Sequence, residues 1–131
     1  MAIVLPIQGL RFTSEAEWDY SKIITPPYDV ITAKRQEELY NKSPYNVIRL
    51  EYPRSLPDDN HQQNKYTRAA AVFNEWIEKG ILTREKKPAI YLYEQHFSYN
   101  EKKYIRKSFF CGVGLSPFEE GIIIPHEETM H

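Results

Sequence analysis

The sequence has 131 residues, a formal net charge of −1, and a composition that is 41% hydrophobic and 27% charged. That balance suits one globular domain, and it excludes both a disordered chain and a binder of nucleic acid or membrane that works through basic excess. The single cysteine, Cys111, excludes an internal disulfide and a Cys-rich zinc site, and it points to a reducing cytoplasm.

The N-terminal stretch MAIVLPIQGLRF lacks a cationic segment before its apolar run, so a signal peptide is not expected. No apolar run nears the roughly 20 residues of a membrane span. Residues 3–12 read as a first strand, with Pro6 placing it at an edge or a bend. Residues 14–24 read as a polar and aromatic connector with room for one helical turn. Thr25-Pro26-Pro27 is a rigid extended corner, because each proline fixes its own φ and restricts the residue before it. Thr32 is placed to cap a short helix, AKRQEELYNK, with Leu39 and Tyr40 on its inner face. YNVIRLEY (45–52) alternates and reads as a strand.

Asp58 or Asp59 is expected to cap a long helix over about residues 59–79. Tyr66, Ala69, Ala70, Phe73, Trp76 and Ile77 recur at spacings of three and four, which makes one apolar stripe. Gly80 sits where a left-handed residue ends such a helix. AIYLYEQHFS (89–98) and KYIRKSFFCGVGL (103–115) read as a hairpin turning over Tyr99–Lys102. Gly112 and Gly114 in its second strand imply a bulge or a close backbone approach. GIII (121–124) reads as one more short strand. The order predicts an α+β fold, a mixed or antiparallel sheet with two helices, within a single domain spanning 1–131.

Walker, GxGxxG, HExxH and GxSxG patterns are absent from the sequence. After His126-Glu127 the zincin spacing would need a histidine at position 130, which is Met130, so no metal set is assigned. His126 is a candidate general acid or base with Glu127 as its orienting carboxylate; the alternative is a solvated pair at a frayed terminus. Asp29, after the Pro-Pro-Tyr corner, is the best-placed carboxylate for catalysis, or else serves as an Asx turn or helix cap. Arg49, Arg68 and Arg106 are candidates for gripping a phosphate or carboxylate, or else pair with carboxylates such as Glu51 and Glu94. The ten tyrosines suit half-buried walls and binding surfaces.

Five blocks, TPPYDVIT (25–32), SPYNVIRLEYP (43–53), NKYTRAAAVFNEWIEKGIL (64–82), AIYLYEQHFSYNEKKYIRKSFF (89–110) and GIIIPHEETM (121–130), together resemble the N-terminal part of the bacterial and archaeal family known as domain of unknown function 1015. Ser43 stands where the family more often has Asn. Tyr28 and Asn46 lie in the first two blocks and join Arg49, Arg68 and Arg106 as candidate ligand-binding residues. The resemblance implies a longer parent protein, of which this chain is the N-terminal fragment. It also implies a distant similarity to ParB, sulfiredoxin and free serine kinases. On that basis the parent is expected to be a nucleotide- or phosphate-dependent small-molecule kinase or phosphohydrolase, with its DGHHR-type motif outside this chain and the cofactor unassigned. The alternative is a non-catalytic interaction domain that docks on the C-terminal region of its parent or on a second copy as a homodimer. Neither reading involves nucleic acid or a membrane.

Overall fold

A computed structural model describes residues 1–124. Along the chain run β1 (Val4–Leu5), β2 (Leu10–Phe12), α1 (Tyr20–Ile23), α2 (Ala33–Lys42), α3 (Ile48–Glu51), α4 (Lys65–Glu78), β3 (Leu82–Arg84), β4 (Tyr91–Tyr99), β5 (Lys102–Phe110) and β6 (Gly112–Val113). Short 3₁₀ turns occupy Tyr28–Val30 and Phe118–Glu120. The class is α+β, with antiparallel two-stranded sheets pairing β1 with β6 and β4 with β5, and a third such sheet formed by β2 and β3. No helix among the described residues is long and apolar enough to cross a membrane. The chain divides into two compact units, a helical one (residues 11–83) and a hairpin one (residues 1–10 and 84–131).

The helical unit holds every buried residue among those described. Ile31, Leu39 and Ile48 form one cluster, with Tyr40 and Tyr52 against it. Trp76, Ile81 and Leu82 form a second, flanked by Phe12, Trp18, Val47, Leu50 and Val72. Four rings close a circuit through that second cluster: Phe12–Trp18 at 5.0 Å, Trp18–Tyr45 at 5.5 Å, Tyr45–Trp76 at 6.1 Å and Trp76–Phe12 at 5.9 Å. Tilted and edge-on ring pairs add attraction beyond the area they bury.

Local side chains set the helix ends. Thr32 Oγ1 accepts from the Arg35 N–H and starts α2, as expected from the sequence. The start of α4 differs from the expectation. Asn64, not Asp58 or Asp59, is its cap, in a reciprocal capping box with Thr67. Asp59 accepts instead from the Leu56 N–H and from Arg68, while Asn60 accepts from the Gln62 and Gln63 N–H groups. These bonds hold a turn ahead of the helix and delay its start. At the other end Gly80 has φ +68°, Gly80 N–H donates to Ile77 O, and Ile81 N–H donates to Trp76 O. This is a Schellman closure, with Ile81 packed on Trp76.

The inward face of α4 is rotated from the expected stripe. Trp76 is buried and Arg68, Ala69 and Val72 are half-buried, whereas Tyr66, Phe73 and Ile77 are exposed. The stretch read as a strand over 45–52 is no strand: a turn over 45–47 leads into α3 at Ile48–Glu51. Asn46 Oδ1 accepts from the Ile48 N–H, and Glu51 N–H donates to Val47 O, so a local side-chain acceptor overrides the β preference of Val and Ile.

In the hairpin unit, β4 and β5 pair without interruption from Tyr91↔Phe110 to Tyr99↔Lys102. Asn100 (φ 47°) and Glu101 (φ 62°) form the two-residue turn, a geometry whose twist matches that of the strands. The first strand expected over 3–12 is broken after Leu5, beside Pro6. Close approach explains the two glycines of the last strand. A Cβ at Gly114 would lie 3.1 Å from Ile3 Cβ, and one at Gly112 would lie 3.3 Å from Ile7 Cγ2. The strand expected at GIII is absent from the described residues 121–124: Gly121 (φ 63°) ends the preceding 3₁₀ turn, and Ile122 and Ile124 are exposed.

Gly80→Ala meets open space but retains the left-handed backbone. It is expected to lower unfolding free energy by about 1 kcal/mol, read as a lower urea midpoint at unchanged slope.

Candidate functional site

Tyr28 and Asp29 lie in the 3₁₀ turn after the Pro26-Pro27 corner, both exposed, with the Tyr28 ring 6.5 Å from that of Tyr52. Asn46 is fully buried. Its Nδ2 donates to Lys22 O at 2.7 Å and to Ile24 O at 3.1 Å, and its Oδ1 accepts from Ile48 N–H at 3.0 Å. With three backbone partners satisfied, the amide ties the end of α1 to the start of α3.

Three arginines meet at one place in the helical unit. Arg49, on α3, donates from Nη1 to Ser43 O (2.8 Å) and from Nη2 to Tyr40 O (2.9 Å). Its guanidinium lies 4.6 Å from the centre of the Tyr40 ring. Arg54 packs on the same ring at 3.8 Å, and its backbone N–H donates to Tyr40 Oη. Arg54 Nη2 is 2.5 Å from Glu37 Oε2, an ion pair without hydrogen-bond alignment, and Arg54 Nε has no hydrogen-bond partner. Arg68, on α4, grips both oxygens of Asp59 at 2.5 and 3.0 Å and donates to Arg54 O. Together with Tyr40 these arginines line a pocket of about 250 Å³.

The charges are tuned by these contacts. Burial pulls the Arg49 pKa below its ordinary value, with the neighbouring Arg54 adding to the effect and Tyr40 opposing it. The hydrogen bond from Arg68 holds the Asp59 carboxyl below the usual carboxylate range, and Asp59 raises Arg68 in turn.

Arg106 lies on β5 of the hairpin unit, opposite Gln95, beside a shallow depression that also touches Tyr93, His96 and Phe97. His96 Nε2 is 2.6 Å from Glu94 Oε1. His126 and Glu127 lie outside the described residues. Of the sequence candidates, then, the structure brings Arg49 and Arg68 to one pocket. Asp29, in the helical unit, does not line that pocket, and Arg106 belongs to the other unit. Tyr40 and Arg54 are the residues the sequence reading missed. The available signal was weak: an arginine directly after the Tyr52-Pro53 that ends α3, with no periodicity linking it to α2. Among the described residues, no group of three or more His, Cys, Asp or Glu side chains is arranged to hold a metal ion.

Residues 4–131 match the family model described as "Protein of unknown function (DUF1015)". The chain belongs to this family. No curated protein and no solved structure matched it. The family description attaches no activity to the fold that carries the three-arginine pocket.

Two measurements test the structural account. Asn46→Ala leaves two carbonyls and one N–H without their partner, so unfolding free energy is expected to fall by about 3 kcal/mol in urea denaturation. Because the Asp59 pKa is depressed on folding, its contribution is present above the unfolded Asp range and is lost as pH falls through the lower folded value. The acid limb of stability is therefore expected to be shallower in Asp59→Asn than in the unaltered chain, measured as denaturation midpoint against pH.

Proposed function

We propose that this member of the domain of unknown function 1015 family serves as an interaction domain whose β4–β5 arm docks on another polypeptide segment. The observation that carries this reading is that no described residue of the hairpin unit is buried. Both strands are exposed or half-buried along their length, including Leu92 at 89%, Phe109 at 60% and Phe110 at 56%. A two-stranded hairpin is marginal in water without something packed on its face. Large apolar side chains left exposed in a contiguous set mark an interaction surface. Residues 91–110 carry four Lys or Arg against two Glu, so two copies of the arm would meet as like charges. The partner is accordingly a neutral or acidic polypeptide with apolar side chains, such as a further region of the parent protein, rather than a second copy. A reducing cytoplasm suits the free thiol of Cys111.

A phosphate-transferring role for the parent, as a nucleotide- or phosphate-dependent kinase or phosphohydrolase, is the second reading. It is favoured by one observation: Arg49 has hydrogen bonds to carbonyls but no carboxylate partner.

The docking reading is tested on the purified chain by binding of an apolar dye, light scattering and hydrogen exchange. Dye binding and fast exchange across β4–β5 are expected, with the dye signal cut severalfold in Leu92→Glu/Phe109→Glu while the helical unit stays protected. A monomer that binds no dye and protects the hairpin amides would sink the proposal. A discrete dimer with a protected hairpin would instead assign the surface to a second copy.

A further inference from the structure

We propose that the pocket over Tyr40 is a binding site for a small oxyanion, a phosphate or carboxylate group carried on a compact apolar body. The inference rests on the second reading only in needing an oxyanion there, and it does not depend on any transfer chemistry.

The argument begins with a count of charges. Arg54 is offset by Glu37, and Arg68 by Asp59. Arg49 has no such offset: its two terminal nitrogens are fixed by Ser43 O and Tyr40 O, which are neutral. A half-buried cation is ordinarily paired, because withdrawal from water penalises the charged form. Asp58 also acts on Arg68 through space, so what distinguishes Arg49 is that it alone of the three arginines has no carboxylate partner of its own.

Geometry adds to this. Arg49 and Arg54 both lie on the Tyr40 ring, which fixes their planes, so little side-chain freedom remains to be lost when a ligand arrives. A guanidinium has five N–H donors, and Arg49 uses two of its nitrogens, leaving donors to spare. Arg54 also lines the pocket, and its Nε and Nη2 have no hydrogen-bond partner; both atoms are shut off from solvent, so they reach a ligand by a turn of the side chain. Buried donors in native proteins usually have partners, so an acceptor that draws the Arg54 side chain toward the pocket would satisfy groups now without one. The remaining wall is apolar, formed by Pro53, Leu56 and Val72. A group with two anionic oxygens suits such forked donors, and the apolar wall suits the body that bears it.

The test is a titration of the purified chain with inorganic phosphate and, separately, with acetate and benzoate, at low ionic strength and fixed chloride. Arginine Nε–Hε signals are followed by NMR. Saturable shifts of the Arg49 and Arg54 signals are expected, and affinity should fall about tenfold or more in Arg54→Gln, as for loss of one charged hydrogen bond. Arg49→Lys keeps the charge but loses the fork, and is expected to weaken binding similarly. It decides the matter should Arg54→Gln lose its helical circular dichroism. Saturation by phosphate alone assigns a phosphoryl ligand, saturation by the carboxylates alone assigns a carboxylate, and either supports the site. Shifts that rise linearly without saturating, or an affinity unchanged in folded variants, overturn it. A phosphomonoester that binds saturably but is neither cleaved nor passed on would remove the transfer reading and leave the site standing.

Discussion

The helical unit depends on one buried amide. Asn46 reaches the carbonyls of Lys22 and Ile24 on one side and the N–H of Ile48 on the other. Those three bonds bring the end of α1 against the start of α3 and turn the chain into a helix where its β-branched residues favour a strand. Once α3 is set, Ile48 seals the cluster with Ile31 and Leu39. Arg49, one residue on, is then carried to the carboxyl end of α2, where it finds Tyr40 O and Ser43 O. The pocket is thus a downstream product of a polar contact in the core, and the core is small enough that losing that contact would be felt throughout the unit.

What the sequence disclosed follows from how local each feature is. The Thr32 cap, the Gly80 closure and the β4–β5 turn are each specified within a few residues and stand as read, but the second strand expected over 103–115 ends at Phe110, and Gly112–Val113 pairs with β1 instead. The features that went astray are those set by distant partners. Asp59 reads as a cap, but Arg68 and the Leu56 N–H occupy its oxygens. The stripe on α4 has apolar residues over much of its circumference, so periodicity alone could not say which edge faces in; Trp76 and Val72 do, in the cluster with Ile81 and Leu82. YNVIRLEY is too short for its alternation to tell a strand from a buried helical turn. Of the pocket, Arg49 and Arg68 were legible as residue types, but their meeting point was not. It is defined by the Tyr40 ring and by Arg54, which arrive from different elements.

The two units divide labour in a way consistent with their composition. In the helical unit one aromatic circuit, Phe12, Trp18, Tyr45 and Trp76, closes around the buried Trp76, while Tyr20, Tyr28, Tyr66 and Phe73 are exposed; in the hairpin unit the rings pair on the surface, such as Phe97 with Tyr104 and Tyr93 with Phe110. Tyrosine is half-buried or exposed in both units, with Tyr40 and Tyr52 packed against the Ile31–Leu39–Ile48 cluster.

The hairpin carries large apolar or aromatic side chains on both faces, Leu92 and Phe109 on one, Phe97 and Tyr104 on the other. In most hairpins a slip by one residue is punished because it turns a greasy face outward. Here neither face is clearly the inner one, so that safeguard is weak and the tight Asn100-Glu101 turn must hold the alignment almost unaided. The same ambiguity makes each open edge a template for stacking with like strands, the route by which cross-β aggregates grow. Lys102, Lys103, Arg106 and Lys107, spaced along β5, are well placed to oppose that route. Like charges brought together by such stacking repel, so these residues act as a guard along the exposed strand.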